Sequence, residues 1–370
     1  MKIIRGALTF DDVLLLPGYS DFKRSEVDLK VKLSSAITLG VPVISSPMDT
    51  VTESEMALAM AKFGCLGVIH RNLSPLEQSK QVGLVKRSKV SDLSAALDFK
   101  KRYLVGAAVG IGADFEERVD LLIKAEVDLL VIDSGHGNTS FACQAIKDIK
   151  NKTRICVMAG NIATAEGAEN LLACGCDILR VGMGPGSICT TRIISGIGVP
   201  QLWAIAQAVK VARKYRKTVV ADGGIKQFGD IAKALGTGAQ AVMLGSLLSG
   251  FSESAGEIVV KRGMKFKAYR GMGSISAMKK GGAERYGQQR KTAEKKLIAE
   301  GVEAIVSYRG EVADFLLQME GSLRSSFYYL GAKNLLEFHK KAVFVKITQG
   351  GFTESHPHSV KIINTGNNYF

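Results

Sequence analysis

Residues 155–181 read ICVMAGNIATAEGAENLLACGCDILRV and contain one complete unit of alternating structure. The run at 155–159 is apolar at successive positions, which indicates a strand buried on both faces, as in parallel sheets. Residues 165–173 have the spacing of an amphipathic helix, and 178–181 form a second apolar run. This stretch therefore predicts a strand, a helix and a further parallel strand.

The same unit recurs along the chain. Apolar runs occur at 42–45, 66–69, 104–109, 129–132, 155–159, 178–181, 218–221 and 241–244. Amphipathic patterns lie between most of them, at 53–63, 115–125, 165–173, 201–215 and 229–235. Eight such alternations predict an α/β protein of the (β/α)8 TIM-barrel type rather than a doubly wound sheet. No G-x-G-x-x-G motif stands between a strand and a helix with an acidic residue downstream, which disfavours a Rossmann domain.

The composition is that of a globular protein with room for a large core. The chain has 370 residues, 46% of them hydrophobic, and a formal net charge of +14 that favours anionic ligands. Lys and Arg are scattered, so nucleic acid is not the partner we favour. No apolar run reaches the length of a membrane span or of a signal-peptide core. The six cysteines follow no disulfide or zinc spacing, and we expect a reducing, cytoplasmic setting with no membrane partner.

Polar residues follow most of the predicted strands. They stand at 46–49, 70–72, 133–136, 160–161, 222–224 and 245–246. In a TIM barrel the carboxyl ends of the strands carry the function. Each of these residues could merely cap a helix or close a turn, but together they predict an active site on this rim.

The loop after the sixth run, at 182–198, reads GMGPGSICTTRIISGIG and holds one cysteine, Cys189. A thiol in a Gly-rich loop suits a nucleophile, although a free cysteine is more often a small core residue. Its place on the functional rim favours the nucleophile. Gly-rich loops after the seventh and eighth runs are typical of a phosphate site, with Ser187 and Ser246 as hydroxyl donors and Asp222 as an acceptor for ribose hydroxyls.

Residues from about 252 onward form an appendage to the barrel. The segment 279–300 is rich in Lys, Gly and Gln, which favours disorder on composition alone, with a mobile active-site flap as the alternative. The tail contains His356 and His358, which leave open a metal site, although exposed tail histidines are the commoner outcome.

Over nearly its full length the chain resembles the inosine-5′-monophosphate (IMP) dehydrogenase and GMP reductase family. The resemblance rests on these motifs: ALTFDDVLLLPGYS at 7–20, PMDTVTE at 47–53, VIDSGHG at 131–137, AGN at 159–161, GPGSICTTR at 184–192, ADGGI at 221–225, YRGMGSISAM at 269–278, ERYGQQ at 284–289 and EGVEA at 300–304. The nine-residue cysteine motif is highly specific for this family.

For the dehydrogenase branch, the resemblance implies NAD-dependent oxidation of IMP to XMP, the first committed step of guanine nucleotide synthesis. Cys189 would attack the purine 2-position, and hydride would leave to NAD+. Water would then hydrolyse the covalent thioimidate. Arg285 and Tyr286 on the flap would activate that water, and Thr191 would help near the thiol. An arginine base is unusual, because guanidinium is normally protonated.

The resemblance also assigns binding residues. Those that would hold the substrate are Ser46, Ser187, Asp222, Gly223, Gly224, Gly245, Ser246, Tyr269, Gly271, Met272, Gly273 and Glu300. Those on the cofactor side are Asp133, Ser134, Asn161, Gly182 and Gly184. Backbone carbonyls of Gly182, Gly184 and Cys189 would bind potassium. In a homotetramer, the Glu354, Ser355 and His356 positions of a neighbouring subunit would complete that cation site.

Two features depart from the family pattern. Members usually carry a pair of CBS modules after the second strand–helix unit, whereas 85–101 here supply only a short, polar, helix-like link. We therefore expect one catalytic domain over 1–370, with a flap at 279–300 and a cation-site tail at 350–370. Gly135 stands where alanine is usual, and we expect it to loosen the cofactor loop with little effect on the chemistry.

The main alternative is GMP reductase, which shares the barrel and the cysteine loop. It would catalyse NADPH-dependent reductive deamination of GMP to IMP. Arg285 and Tyr286 favour the dehydrogenase, because the reductase needs no water-activating arginine. A nucleic-acid-binding protein, suggested by the charge of +14, is the weaker third hypothesis.

Overall fold

The protein is described by a computed structural model over residues 3–92, 94–288 and 294–363. Three short strands precede the barrel: β1 (Val13–Leu15), β2 (Val31–Lys32) and β3 (Thr38–Leu39). Strands β2 and β3 pair with each other as an antiparallel ribbon.

Eight parallel strands form a closed barrel. They are β4 (Val43–Ser45), β5 (Leu66–Ile69), β6 (Val105–Val109), β7 (Leu129–Asp133), β8 (Cys156–Ile162), β9 (Ile178–Val181), β10 (Thr218–Asp222) and β11 (Ala241–Leu244). Each strand pairs with the next along the chain, and β11 pairs with β4 to close the ring. All eight predicted runs become barrel strands, so the predicted TIM barrel is confirmed. The strands are buried on both faces, which explains their continuous apolar character.

Helices surround the barrel. They are α1 (Ser54–Lys62), α2 (Pro75–Arg87), α3 (Phe115–Lys124), α4 (Ser140–Lys152), α5 (Ala165–Ala173), α6 (Thr191–Ile194), α7 (Gln201–Tyr215) and α8 (Phe228–Gly236). The apolar spacing did not predict α2 or α4. Residues typical of helix N-termini mark the starts of these two helices in the sequence. Ser74 and Thr139 accept hydrogen bonds from the first turn, and Pro75 occupies the first position of α2.

Apart from residue 93, which lies outside the described residues, the connection between α2 and β6 is not helical. Helix α2 ends at Arg87, and the chain then reaches β6 through an irregular segment in which Leu97 forms an isolated bridge with Tyr103. The helix-like link expected over 85–101 is therefore wrong beyond Arg87. The backbone N–H of Ala96 donates to the carbonyl of Ala61 at the end of α1, and this contact fixes the segment to the barrel instead.

In its described residues, the C-terminal part adds a three-stranded sheet and four α-helices. Strands β12 (Ile258–Lys261), β13 (Met264–Arg270) and β14 (Glu303–Ser307) form an antiparallel sheet. The other elements are α9 (Ile275–Lys280), α10 (Val312–Leu330), α11 (Leu335–Lys341), β15 (Phe344–Lys346) and α12 (Gln349–Glu354). Strand β15 pairs with β1, and so ties the two ends of the chain together. Because β13 and β14 pair, the segments that follow β13 and precede β14 lie side by side.

Two of the cysteines are joined. Cys143 of α4 and Cys174 at the end of α5 form a disulfide with a Cα–Cα distance of 5.4 Å. The expectation of unpaired cysteines is therefore corrected. The pairing has a topological cause: β7 and β8 are neighbours in the barrel, so the helices that follow them are neighbours as well. Within the described residues, no helix is long and apolar enough to cross a membrane.

A buried ion pair next to the connector gives a stability test. The Lys86 side chain is 4% exposed, and its Nζ lies 3.0 Å from an oxygen of Asp98 and 2.5 Å from one of Asp128. Lys86→Ala removes the cation paired with Asp128 and one of the two cations paired with Asp98, which keeps Arg102, and we expect it to lower the free energy of unfolding by about 3 kcal/mol. Denaturant unfolding measures this loss. The control is Lys100→Ala, whose exposed pair with Glu126 is expected to matter by less than about 1 kcal/mol. Equal losses of unfolding free energy in the two variants would contradict the stabilising role of the buried Lys86 ion pair.

Candidate active site

The Cys189 loop leaves the barrel at the carboxyl end of β9. Its first residue must be glycine, because a Cβ on Gly182 would lie 2.0 Å from the carbonyl oxygen of Asp222. Further along, Cys189 is half-buried, and its Sγ donates a hydrogen bond to Thr191 Oγ1 at 3.2 Å. The predicted nucleophile is thus accessible and has a hydroxyl group beside it.

The other free thiols are in a different environment. Cys65, Cys156 and Cys176 are buried, and burial raises the pKa of Cys156 to about 11 and that of Cys176 to about 12. Burial also moves the pKa of Cys65 far above its usual value. These three groups stay protonated near neutral pH and act as small core residues. Of the four free cysteines, Cys189 is the one that lines a cavity on the rim.

Three segments distant in sequence are joined around this cysteine by backbone hydrogen bonds. The N–H of Thr190 donates to the carbonyl of Glu300, and the N–H of Val302 donates to that of Ile188, both at 3.0 Å. On its other side, residues 300–302 bond to the loop after β13, through Glu300 N–H to Gly273 and Gly271 N–H to the Val302 carbonyl. Residues 300–302 therefore hold the cysteine loop against the segment expected to recognise the base.

Two adjoining cavities open at this point. They share Ser46, Pro185, Asp222, Gly223 and Tyr269 in their walls. The predicted site residues that line one or both are Ser46, Asn161, Gly182, Gly184, Ser187, Cys189, Thr191, Asp222, Gly223, Gly224, Gly245, Ser246, Tyr269, Gly271, Met272, Arg285, Tyr286 and Glu300. The two cavities thus bring together most of the predicted site residues, which lie on five loops of the barrel rim and on the segments at 269–272, 285–286 and 300.

The second cavity suits a phosphate group. Gly223 and Gly224 turn with φ of +88° and +79°, a backbone region that glycine tolerates, and they place backbone beside Ser187 and Ser246. Tyr269 lines this cavity together with both serines, and burial raises the pKa of its hydroxyl to about 12, although hydrogen bonding to the serines acts in the opposite direction. Tyr269 therefore stays protonated and has a hydroxyl proton to donate at the cavity wall.

A chain of charged and polar groups runs along the first cavity, whose walls include Arg180, Asn161 and Asp222. Arg180 Nη1 is 2.5 Å from Asp133 Oδ1, and its Nε is 2.8 Å from Asp222 Oδ2. Asn161 donates from Nδ2 to the same Asp222 oxygen at 2.7 Å. Arg180 thus connects the carboxylate expected on the cofactor side to the carboxylate expected at the ribose of the substrate. The guanidinium of Arg285 also donates to Asp133 Oδ1.

The flap, as far as the structure describes it, is ordered and lies over the barrel mouth. Helix α9 leads into a 3-10 helix at Gly282–Tyr286, and the carbonyl of Arg285 accepts a hydrogen bond from the N–H of Gly135 at 2.9 Å. These contacts of residues 279–288 and 294–300 favour the flap over the disorder that composition alone suggested. Residues 289–293 of the expected flap lie outside the described part. Burial lowers the pKa of Arg285 and raises that of Tyr286.

Gly135 lies directly under the flap. A Cβ at this position would be 3.1 Å from the Arg285 carbonyl oxygen and 3.3 Å from Cδ1 of the Tyr286 ring. The glycine therefore permits a closer approach of the flap than alanine would. This contact differs from the loosening of the cofactor loop that the sequence suggested.

Some predicted residues lie outside the cavity walls. The Asp133 side chain is fully buried beneath them, and the Ser134 hydroxyl donates to the carbonyl of His136. Gly273 lies against the Tyr286 ring, where an added Cβ would be 2.8 Å from Cζ. In this chain the tail residues Glu354, Ser355 and His356 line neither cavity. A single chain does not test their expected role in a neighbouring subunit.

The sequence analysis did not predict the roles of Arg180 and Arg71, nor the hydrogen bonds by which Asp49 holds the end of β13. Arg180 is a charged residue within the otherwise apolar strand β9, which is the signal that could have revealed it. Arg71 was noted on the rim, but without a role. Asp49 accepts hydrogen bonds from Arg270, and from Asn72 Nδ2 at 2.9 Å, and thereby fixes the end of β13 just before the 271–273 loop. No spacing in the sequence indicates these long-range pairs.

Comparisons with known proteins agree with this geometry. The family described as IMP dehydrogenase / GMP reductase domain matches residues 7–358. An inosine-5′-monophosphate dehydrogenase from Borreliella burgdorferi is 44% identical over 397 aligned positions, covering 97% of this chain and 98% of the relative. Enzymes of the same name from Streptococcus pyogenes and Bacillus subtilis are 38% and 37% identical, each over 100% of this chain and over 98% and 99% of the relative. The chain belongs to the IMP dehydrogenase / GMP reductase family and is an oxidoreductase of that family.

Thiol alkylation tests the structure of the site without any substrate. In the absence of reductant, we expect iodoacetamide to modify Cys189 at least about tenfold faster than the other free cysteines, because those are buried and protonated. Peptide mapping by mass spectrometry identifies the modified residue. Cys189→Ser is the control and should lose the fast phase. Fast modification of Cys65, Cys156 or Cys176 would contradict the described burial.

Proposed function

We propose that the protein oxidises IMP to XMP with NAD+ as hydride acceptor. The observation that carries the proposal is the docking of Arg285 and Tyr286 into the cavity that holds Cys189. A reaction that ends in hydrolysis of a thiol adduct needs a group to activate water beside the thiol. Reductive deamination of GMP has no such step, so these two residues favour the dehydrogenase over the reductase.

The thiol of Cys189 is the nucleophile of the proposed reaction. As a thiolate it adds to the purine 2-position, the hydride at that carbon leaves to NAD+, and a covalent thioimidate remains on the sulfur. Thr191, 3.2 Å from Sγ, accepts the thiol hydrogen bond in the resting site and helps to orient the sulfur. The hydrogen-bonded contacts among 188–190, 271–273 and 300–302 place the base loop within reach of that sulfur.

Arg285 is proposed as the base that activates water for hydrolysis, with Tyr286 beside it. Arginine is a poor base when its guanidinium keeps its proton. Burial lowers the pKa of Arg285, which is the direction that a general base requires. The water proton passes to the neutral guanidine form of Arg285, the hydroxide adds to the thioimidate carbon, and the C–S bond breaks to release XMP and the Cys189 thiolate.

Substrate recognition follows from the two cavities. Ser187, Gly224, Gly245, Ser246 and Tyr269 are proposed to hold the phosphate, and Asp222 the ribose hydroxyls. Ser46 and Gly223 line both cavities beside these groups. Gly271, Met272, Gly273 and Glu300 are proposed to contact the hypoxanthine. The net charge of +14 supports attraction of an anionic substrate.

The cofactor side is proposed to consist of Asp133, Ser134 and Asn161. The buried oxygens Asp133 Oδ2 and Asn161 Oδ1 have no hydrogen-bond partner in the described part of the chain, so both residues have acceptor capacity to offer a nicotinamide riboside. Bound there, NAD+ supplies the hydride-accepting ring. Arg285 of the closed flap donates to the other oxygen, Asp133 Oδ1, and we propose that the cofactor ribose takes its place beside this carboxylate when the flap is away.

A potassium site is proposed at the start and middle of the cysteine loop. The carbonyls of Gly182, Gly184 and Cys189 accept none of the loop backbone hydrogen bonds found in the described residues, and carbonyl oxygens suit a hard monovalent cation. Glu354, Ser355 and His356 of an adjacent copy in a homotetramer would complete it. Replacing potassium with choline should therefore depress the rate. An unchanged rate at matched ionic strength would remove the cation from the proposal.

The domain organisation is proposed as one catalytic barrel without a CBS pair. The alignments to the Streptococcus and Bacillus enzymes run over 487 and 484 positions, against 370 residues here, so those relatives contain segments without a counterpart in this chain. The connector between α2 and β6 is short in this chain, which supports this connector as the position of the extra segments in those relatives. Control by nucleotides bound to such modules would then be absent. A cytoplasmic location is part of the same proposal, with no nucleic acid or membrane needed for activity.

The activity test compares two reactions in parallel. We expect NADH formation from IMP and NAD+, and no NADPH consumption with GMP. Cys189→Ser should lower turnover by more than about a thousandfold, because the covalent step is lost. Cys156→Ala, which changes a buried thiol away from the site, is the control for folding. Activity in the GMP reaction alone would replace this proposal with the reductase.

A second variant separates the two chemical steps. Arg285→Ala should slow hydrolysis by roughly 10²–10⁴-fold, the range for loss of a general base, and leave hydride transfer near its original rate. Stopped-flow absorbance should then show one equivalent of NADH in a burst, followed by slow turnover. A slowed burst with unchanged later turnover would contradict the role of the flap.

A further inference from the structure

Arg71 faces the carboxylate that receives the flap. It follows β5, its side chain is 5% exposed, and its Nε lies 3.9 Å from Asp133 Oδ2. Neither of these atoms has a hydrogen-bond partner in the described part of the chain. The other oxygen, Asp133 Oδ1, accepts from Arg180 and from Arg285 of the flap. Asp133 thus has resident cations on two sides and receives a third when the flap docks.

The charges of this cluster can be counted in both flap positions. With the flap away, Arg71 and Arg180 balance Asp133 and Asp222, so the cluster is neutral. With the flap closed, Arg285 adds one positive charge in a place from which water is largely excluded. A buried cluster is most stable when its charges balance, so the resident charge of Arg71 works against docking of Arg285.

The remaining charged groups near Arg71 do not cancel this effect. Arg118 and Asp114 form an ion pair with each other. Glu284 enters with the flap and attracts Arg71, so it offsets part of this repulsion; because Glu284 is exposed, solvent screens its attraction more than the repulsion between the largely buried guanidinium groups. Burial lowers the pKa of Arg71, and the attraction of Glu284 acts in the opposite direction.

We propose that Arg71 is a positioning residue that sets the balance between the closed and the open flap, through its charge opposite Asp133. The inference rests on the proposed function for its consequence in catalysis: the open flap is the state that admits the cofactor. Without the charge of Arg71, the open cluster has one negative charge in excess and the closed cluster is neutral. The closed flap then gains population at the expense of the open one.

The primary test is hydrogen–deuterium exchange of the flap peptide 279–288 in the protein without ligands. Arg71→Gln should slow exchange of this peptide by about tenfold, whereas Arg71→Lys should keep it near the original rate. Glu284→Gln, on the exposed side of the flap, should change exchange in the opposite direction, because it removes an attraction that favours closure. It also provides the test if Arg71→Gln does not fold.

In steady-state kinetics, loss of the Arg71 charge should change KM for NAD+ much more than kcat. Because only the open protein binds cofactor, Arg71→Gln should raise KM for NAD+ about tenfold and leave kcat within about threefold. Faster flap exchange in Arg71→Gln, equal changes in the Gln and Lys variants, or a shift in the same direction for Arg71→Gln and Glu284→Gln would each overturn the proposal. If the original protein forms no NADH from IMP, the proposed function fails, while the exchange result still decides the role of Arg71.

Discussion

The Asp133 carboxylate is the group on which the organisation of the site depends. It is fully buried at the end of β7, and a buried carboxylate is stable only when cations or hydrogen-bond donors surround it. Arg180 on β9 meets this need and at the same time holds Asp222 on β10. One guanidinium therefore fixes the relative positions of three strand ends. The flap arginine then docks on the same carboxylate.

The barrel makes this arrangement possible because its parallel strands bring distant residues to one rim. Asp133, Arg180 and Asp222 are far apart in sequence but belong to strands β7, β9 and β10 of the same ring. The three-stranded sheet β12–β13–β14 also positions the site. Because β13 pairs with β14, the 271–273 and 300–302 segments lie side by side, and the cysteine loop is hydrogen-bonded to residues 300–302. Rigid strands thus hold the nucleophile, while the flap that covers it rests on a few polar contacts.

Much of the fold was readable from the sequence, since strands buried on both faces have continuous apolar runs. Runs such as LGVI at Leu66–Ile69 and AVML at Ala241–Leu244 coincide with the observed strands. Helix α2 was missed because it is largely polar, and its cap at Ser74 was the better signal. Composition alone favoured disorder for the flap, because its residues resemble those of disordered chains, and the flap was expected only through the family resemblance. Its order comes from long-range contacts such as Gly135 to Arg285.

The site was predictable to a different degree. Glycines, Cys189 and the rim residues stand in short motifs, so both the residues and their common location could be read from the chain. Arg180 and Arg71 act through partners that lie in other motifs, and no local pattern encodes such a pairing. The role of Gly135 likewise depends on a segment about 150 residues away. A short motif shows which residue belongs to the site, but the charges that surround that residue are known only from the folded barrel.

The central claim is that Cys189 and the docked flap act on one covalent intermediate. Mass spectrometry of the protein, acid-quenched during steady-state turnover of IMP and NAD+, tests it most directly. We expect a purine nucleotide adduct on the peptide that contains Cys189, dependent on NAD+ and more abundant in Arg285→Ala. Turnover without any adduct, or an adduct on another residue, would contradict the account.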